Sequence, residues 1–201
     1  MRKKIAVFAS GFGSNLQALI DFNEKSDLYG DISLVFSNNA DAFALKRAKK
    51  HNVRSFYYDP GGYANREEFD KDIIKILDEY KIDLIVLAGY MFLLTPLLIN
   101  TYKNRILNIH PALLPSFKGT HGIKDAYEYG IRISGVTVHF VDEKLDNGPI
   151  IIQAPVYLDS QESLERFEEK IHEVEHKIYP RAVRLFCQDR LRINGRKVEI
   201  L

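Results

Sequence analysis

Asn108, His110 and Asp146 are the residues of this sequence whose types suit proton handling and charge stabilisation in one place. Asn108 and His110 stand two apart in the apolar run Arg105 to Ile109 and just past it. On an extended backbone alternate side chains share a face, so the amide and the imidazole project together while Ile109 turns into the packing. Pro111 has no ladder donor and holds His110 extended, which ends the strand there. Ligands of open α/β sheets bind outside such carboxyl strand ends. A carboxylate from Asp146 would fix the tautomer of an imidazole and favour its charged form. An amide beside them supplies a donor for a developing oxyanion. Together the three suit acyl transfer to a nucleophile that the substrate carries. No Ser or Cys is placed as a nucleophile, so direct transfer fits better than an acyl-enzyme. The bland alternatives are a turn-capping Asn, a satisfied core His, and an Asx-turn aspartate in Leu145-Asp146-Asn147-Gly148-Pro149.

A second candidate lies near the N-terminus. Ile5 to Ala9 reads as a buried strand, Ser10-Gly11-Phe12-Gly13-Ser14-Asn15 as a tight turn, and Leu16, Leu19 and Ile20 as a helix with Ser14 or Asn15 near its N-cap. Strand, glycine turn and helix form the arrangement that cradles phosphates, because backbone N–H groups and the helix N-terminus meet the negative charge. The third glycine of the dinucleotide fingerprint is missing, as is the Lys-Ser/Thr of a P-loop. A plain tight turn is the other reading.

The elements that must hold these groups alternate. Strands are expected at 32–36, 55–58 and 83–88, with helices from Ala42 to about Lys50 and from about Asn65 to Tyr80, the latter carrying Phe69, Ile73, Ile76 and Leu77 on one stripe. Such alternation specifies a Rossmann-like, mostly parallel, doubly wound central sheet with helices on both faces. Past Pro115 the pattern changes. Phe117 to Gly122 reads as a mobile loop, 125–129 as a short helix, and 134–141 with 149–157 as strands whose short connection makes them antiparallel. Residues 163–186 read as a long amphipathic helix with a bend near the middle, where Pro180 would break a straight one. Residues 191–200 read as an Asn-Gly hairpin. With no linker, repeat or low-complexity segment, 1–201 is expected to be a single domain.

Composition excludes several classes. Hydrophobic residues make up 46% and charged residues 27%, with a net charge of +1, ordinary for a globular chain and without the clustered Lys and Arg of a nucleic-acid surface. The single cysteine, Cys187, rules out an intrachain disulfide and suits a reducing compartment. His110, His121, His139, His172 and His176 lack metal-ligand spacing, so no metal is expected. The apolar stretch Leu84 to Ile99 is too short and too interrupted to span a membrane, and the N-terminal apolar run is too short for a signal peptide. A cytoplasmic protein without membrane or nucleic-acid partners is expected.

In order along the chain, Ser10-Gly11-x-Gly13-Ser14-Asn15-Leu16, Phe36-Ser37-Asn38-x-Ala40-Asp41-Ala42, Leu87-Ala88-Gly89-Tyr90-Met91, Asn108-Ile109-His110-Pro111, Leu113-Leu114-Pro115, Val138-His139-Phe140-Val141, Leu145-Asp146-x-Gly148-Pro149 and Glu175-His176-Lys177-Ile178-Tyr179-Pro180 occur at characteristic spacings. The sequence thereby resembles the phosphoribosylglycinamide formyltransferases, from about residue 4 to about 190. The resemblance implies the formyltransferase fold and transfer of a formyl group from 10-formyltetrahydrofolate, as co-substrate, to the amine of 5′-phosphoribosylglycinamide in purine synthesis. It implies Asn108, His110 and Asp146 as catalytic residues. It implies Gly11, Gly13, Ser14, Asn15, Pro111, His172 and Glu175 around the ribonucleotide, with Glu175 on the ribose hydroxyls. It implies Arg66, Met91, Phe92, Leu93, Leu94, Asn108, Val141 and Asp146 around the folate. Two positions depart from the family: Phe92 stands where several relatives carry arginine, and His172 where relatives carry Gln or Lys. A monomer or homodimer acting on small molecules is expected. The rival readings are a formyltetrahydrofolate deformylase, which would carry an extra N-terminal domain before a strand that here begins at residue 5, and a non-catalytic nucleotide-binding module. A methionyl-tRNA formyltransferase would need a further domain after Leu201.

Overall fold

The computed structural model describes residues 2–201 and divides the chain into two compact units, one up to Leu107 and one from Asn108 to Leu201. The first unit begins with β1 (Lys3–Phe8), α1 (Ser14–Ser26), β2 (Gly30–Ser37), α2 (Phe43–Lys50) and β3 (Arg54–Tyr57). It continues with α3 (Arg66–Glu79), β4 (Leu84–Leu87) and α4 (Pro96–Thr101). β1 pairs in parallel with both β2 and β4, and β2 with β3. The order β3-β2-β1-β4 reverses direction at β1. Right-handed crossovers then put α1 and α2 on one face and α3 on the other, and the crevice at the reversal opens beyond the carboxyl ends of β1 and β4. Ile5, Ala6, Val7, Phe8, Ile85 and Val86 are fully buried, as expected for strands covered on both faces. Leu16 and Leu19 of α1 and Phe69, Ile73 and Leu77 of α3 supply the covering stripes. Asn65 caps α3 by accepting the Glu68 N–H at 3.0 Å.

β5 (Ile106–His110) carries the chain across the boundary. The second unit holds α5 (Gly122–Tyr129), β6 (Ile133–Phe140), β7 (Ile150–Tyr157), α6 (Leu164–Cys187), β8 (Leu191–Asn194) and β9 (Lys197–Ile200). β6 and β7 are antiparallel, as are β8 and β9. The α/β class expected from the sequence is therefore present, with parallel strands first and antiparallel strands in the C-terminal half.

Three local expectations are corrected. α4 was hidden inside an apolar run; Thr95 begins it by donating both its N–H and its hydroxyl to Asp70 Oδ2 at 2.8 and 2.7 Å. The long helix α6 runs through Pro180 as one element, and Phe167, Ile171, Tyr179, Ala182 and Val183 are all fully buried along it. The terminal hairpin turns at Gly195-Arg196, with Asn194 still paired to Lys197 and Gly195 at φ 59° as the first central residue of the turn. The segment read as a mobile loop is tied down, as described next, and α5 already starts at Gly122.

Candidate active site

In the first unit, the chain leaves β1 through a turn that packs against the start of α2. The Ala44 N–H donates to the Gly11 carbonyl at 3.1 Å. Gly13, not Ser14 or Asn15, is the N-cap of α1; it sits at φ 73° and ψ 34°, and no side chain caps the helix. A Cβ at Gly13 would lie 2.8 Å from the Ala44 Cβ, so both the left-handed backbone and the space demand glycine. The first N–H groups of α1 are of the kind that receive anions. Arg47 braces the turn: its Nε donates to the Phe12 carbonyl at 2.9 Å while its guanidinium lies 4.5 Å from the Phe12 ring centroid. Phe12 also stacks on Phe43, with ring centroids 5.2 Å apart.

Ser10 joins three loops, a role not evident from the sequence. Its hydroxyl donates to Asn38 Oδ1 at 2.6 Å and accepts the Met91 N–H at 2.8 Å, and its N–H donates to the Gly89 carbonyl at 3.0 Å. The segment Met91 to Leu94 thus starts from a fixed point. Met91 and Leu93 are 67% and 56% exposed, an apolar surface held open without a helix or strand. Phe92 packs edge-on to Phe69 at 5.4 Å, with the Arg66 guanidinium 5.0 Å above its ring. Position 92 thus presents a ring that Arg66 covers with positive charge. Beneath lies Asp70, 1% exposed; burial raises its carboxyl above the ordinary range, against the lowering effects of the Thr95 hydrogen bonds and of Arg66. Tyr90 is also pushed up, first by burial and then by Asp70.

In the second unit, Asn108, His110, His139 and Asp146 form one linked set. Asn108 Nδ2 lies 3.2 Å from His139 Nε2. His110 Nδ1 lies 3.5 Å from Asp146 Oδ2, and His139 Nε2 lies 3.8 Å from Asp146 Oδ1. The three residues expected to act together are therefore brought together, with His139 as a fourth. Asp146 is aimed by its turn, at φ 46°. A Cβ on Gly148 would collide with the Phe140 carbonyl oxygen, so glycine lets the connection press against the end of β6. The supposed mobile loop is anchored to this set by its backbone: His110 Nε2 donates to the Phe117 carbonyl at 2.7 Å, and the Gly119 N–H donates to Asp146 Oδ2 at 2.8 Å. Both contacts use main-chain groups, which carry no mark in the residue types.

Glu175 occupies a stripe position of α6 between Ile171 and Tyr179 and is 5% exposed. A carboxylate there is costly unless it is engaged; His172 Nδ1 lies 2.9 Å from its Oε2, and this hydrogen bond raises the His172 pKa against the opposing effect of burial. Pro111 and Val141 are partly buried at the ends of β5 and β6. Cys187 is buried and forms no disulfide. Among the described residues, no group of three or more His, Cys, Asp or Glu is placed to hold a metal ion, and no helix is long and apolar enough to cross a membrane.

The formyl transferase family matches residues 3–183. The Escherichia coli phosphoribosylglycinamide formyltransferase is 40% identical over 94% of this chain and 90% of its own length. A trifunctional purine biosynthetic protein adenosine-3 from Chironomus tentans is 43% identical over 97% of this chain, which spans only 14% of that longer protein. The crystal structure of glycinamide ribonucleotide transformylase 1 from Symbiobacterium toebii superposes with a TM-score of 0.96 at 43% identity, covering 99% of this chain and 94% of that one; its fold class is the mixed α/β arrangement described above. The chain belongs to the formyl transferase family, among the phosphoribosylglycinamide formyltransferases.

Proposed function

We propose that this chain is an enzyme that transfers the formyl group of 10-formyltetrahydrofolate to the amine of 5′-phosphoribosylglycinamide, a step of purine biosynthesis, by direct attack. The observation that carries this reading is the linked set in the second unit, where Asn108, His139, Asp146 and His110 follow one another at 3.2, 3.8 and 3.5 Å in a family of formyl transferases. The substrate amine attacks the formyl carbon, a C–N bond forms, and the carbonyl oxygen gains negative charge in a tetrahedral intermediate. Asn108 Nδ2 and His110 donate hydrogen bonds to that oxygen. The His110 N–H used is the one now given to the Phe117 carbonyl, so Phe117 must release it. Collapse breaks the bond from the formyl carbon to the folate nitrogen; the proton lost by the amine reaches that nitrogen through Asp146 and His110, which Asp146 also keeps oriented.

The remaining roles are assigned residue by residue. Gly11, Gly13, Ser14 and Asn15 receive the phosphate at the start of α1, and Glu175, with His172 and Pro111, holds the ribonucleotide. The exposed apolar segment Met91, Phe92, Leu93 and Leu94 takes the pterin, Arg66 the glutamate carboxylate, and Val141 lies in the connection that closes over the folate. No metal takes part. The enzyme works in the cytoplasm on small molecules, as a monomer or homodimer, with residues 1–201 acting as one formyltransferase domain.

An absorbance assay with a 10-formylfolate donor, with and without glycinamide ribonucleotide, tests this directly. Turnover only with the ribonucleotide is expected. Folate release without it would establish a deformylase, and no release in either case would overturn the enzymatic reading.

A further inference from the structure

His139 is 2% exposed and sits where the register of β6 and β7 slips, Val138 pairing with Ile152 but His139 with Ile150. Such irregularities re-aim side chains beside functional sites. Its Nδ1 lies 2.7 Å from the Phe140 carbonyl oxygen. A carbonyl oxygen can only accept, so Nδ1 carries the proton, and in a neutral ring Nε2 is then a lone-pair acceptor. Burial drives the ring toward the neutral form, against the pull of the Phe140 carbonyl and of Asp146, with Asp142 weaker on the same side; His110 acts in the same sense as burial. The group of Asn108 that faces His139 Nε2 at 3.2 Å must therefore be its NH2. A flipped amide would set its oxygen against the lone pair.

We infer that His139 is a positioning residue: held as the Nδ1–H tautomer by the Phe140 carbonyl, it orients the Asn108 amide so that the second N–H of Nδ2 is the one offered to the developing oxyanion. This rests on the formyl-transfer reading above. Asp146 Oδ1, at 3.8 Å from His139 Nε2, is beyond hydrogen-bond reach and does not compete for the proton.

Two substitutions separate the halves of this role. In His139→Asn the shorter amide can still meet the Phe140 carbonyl but leaves no acceptor at the Nε2 position; in His139→Gln the amide oxygen can stand in for Nε2. Steady-state kinetics should show H139N losing kcat by about 10- to 100-fold, the usual cost of losing the partner that orients a site residue, with KM for both substrates little changed. H139Q should recover most of that loss. In an Asn108→Ala background H139N should cost nothing further, because residues that act as one unit are not additive. Equal kcat in H139N and the unmodified protein, equal losses in H139N and H139Q, or a full additional loss in the N108A background would each overturn the inference. Should the variants fail to fold, 15N-edited NMR of the histidine rings in the unmodified protein decides: an Nδ1–H tautomer at His139 is expected, and an Nε2–H tautomer refutes it. Absence of formyl transfer by the unmodified protein would instead count against the proposed function, and the NMR result would still decide the orientation of Asn108.

Discussion

In the proposed mechanism, truncating Asn108 to alanine removes one donor to the oxyanion and leaves the rest of the set in place. His110 keeps both of its neighbours, the Phe117 carbonyl at 2.7 Å and Asp146 Oδ2 at 3.5 Å, and Asp146 keeps the Gly119 N–H at 2.8 Å. The catalytic cost is therefore that of a single oxyanion donor, a fall in kcat of about 10²–10³-fold, or about 2.7–4 kcal/mol. Because the donor matters in the transition state, KM for donor and acceptor should stay nearly constant. A separate cost falls on stability. Asn108 Nδ2 is the hydrogen-bond donor to His139 Nε2, and leaving a buried acceptor unsatisfied costs about 1–3 kcal/mol. For a chain of this size each kcal/mol moves Tm by about 2–4 °C, so the variant should melt measurably earlier yet remain folded at assay temperature. Initial rates from the 10-formylfolate absorbance assay, alongside thermal unfolding followed by circular dichroism, separate the two effects. A kcat within about threefold of the unmodified enzyme, well short of the loss of one donor, would refute the role of Asn108; so would a loss expressed wholly in KM.

Three further outcomes follow from other contacts. Asp146→Asn keeps the size of the side chain but withdraws the charge facing His110 and His139; turnover should fall by about 10²–10⁴-fold, the range of general acid–base contributions, and unchanged turnover would remove Asp146 from the proton path. Gly13→Ala forces a Cβ into a left-handed position 2.8 Å from the Ala44 Cβ; a loss of about 1–3 kcal/mol in unfolding free energy, with KM for the ribonucleotide raised far more than for the folate, is expected, and equal effects on both would argue against a phosphate turn. Asp70 has a folded-state pKa raised by burial, so the native state binds its proton more tightly than the unfolded chain, and this residue's contribution to stability falls as pH rises from the ordinary carboxylate range through the raised value. Asp70→Asn removes that dependence; urea unfolding at pH 4 and pH 8 should show the variant gaining on the unmodified protein at the higher pH, and a gain at the lower pH would reverse the sign of the argument.

The parts of the fold that could be read from the residues are those in which one element's own side chains decide. The stripe Phe69, Ile73 and Leu77 with Asn65 in front of it marks α3 to within a residue at each end, because cap and apolar face lie within the helix itself. α4 failed that test: its start depends on Asp70, 25 positions earlier, accepting from Thr95, and no local pattern records such a partner. Asn108, His110 and Asp146 stood out through type and spacing. His139 did not, since a histidine in an apolar strand looks like any other core residue.

What separates the readable from the hidden part of the candidate site is the backbone. Both histidines of the set place a ring N–H against a main-chain oxygen, His110 against Phe117 and His139 against Phe140, each at 2.7 Å. A carbonyl oxygen cannot donate, so each contact assigns a proton to one ring nitrogen and leaves the other nitrogen for a side chain. For His139 that side chain is Asn108, whose amide must then donate; the group facing the other nitrogen of His110 is the Asp146 carboxylate. The Phe140 carbonyl, an acceptor that any residue could have supplied, thus decides which way the Asn108 amide must serve. Residue types specify which groups are present; only the path of the chain at residues 117 and 140 specifies their polarity.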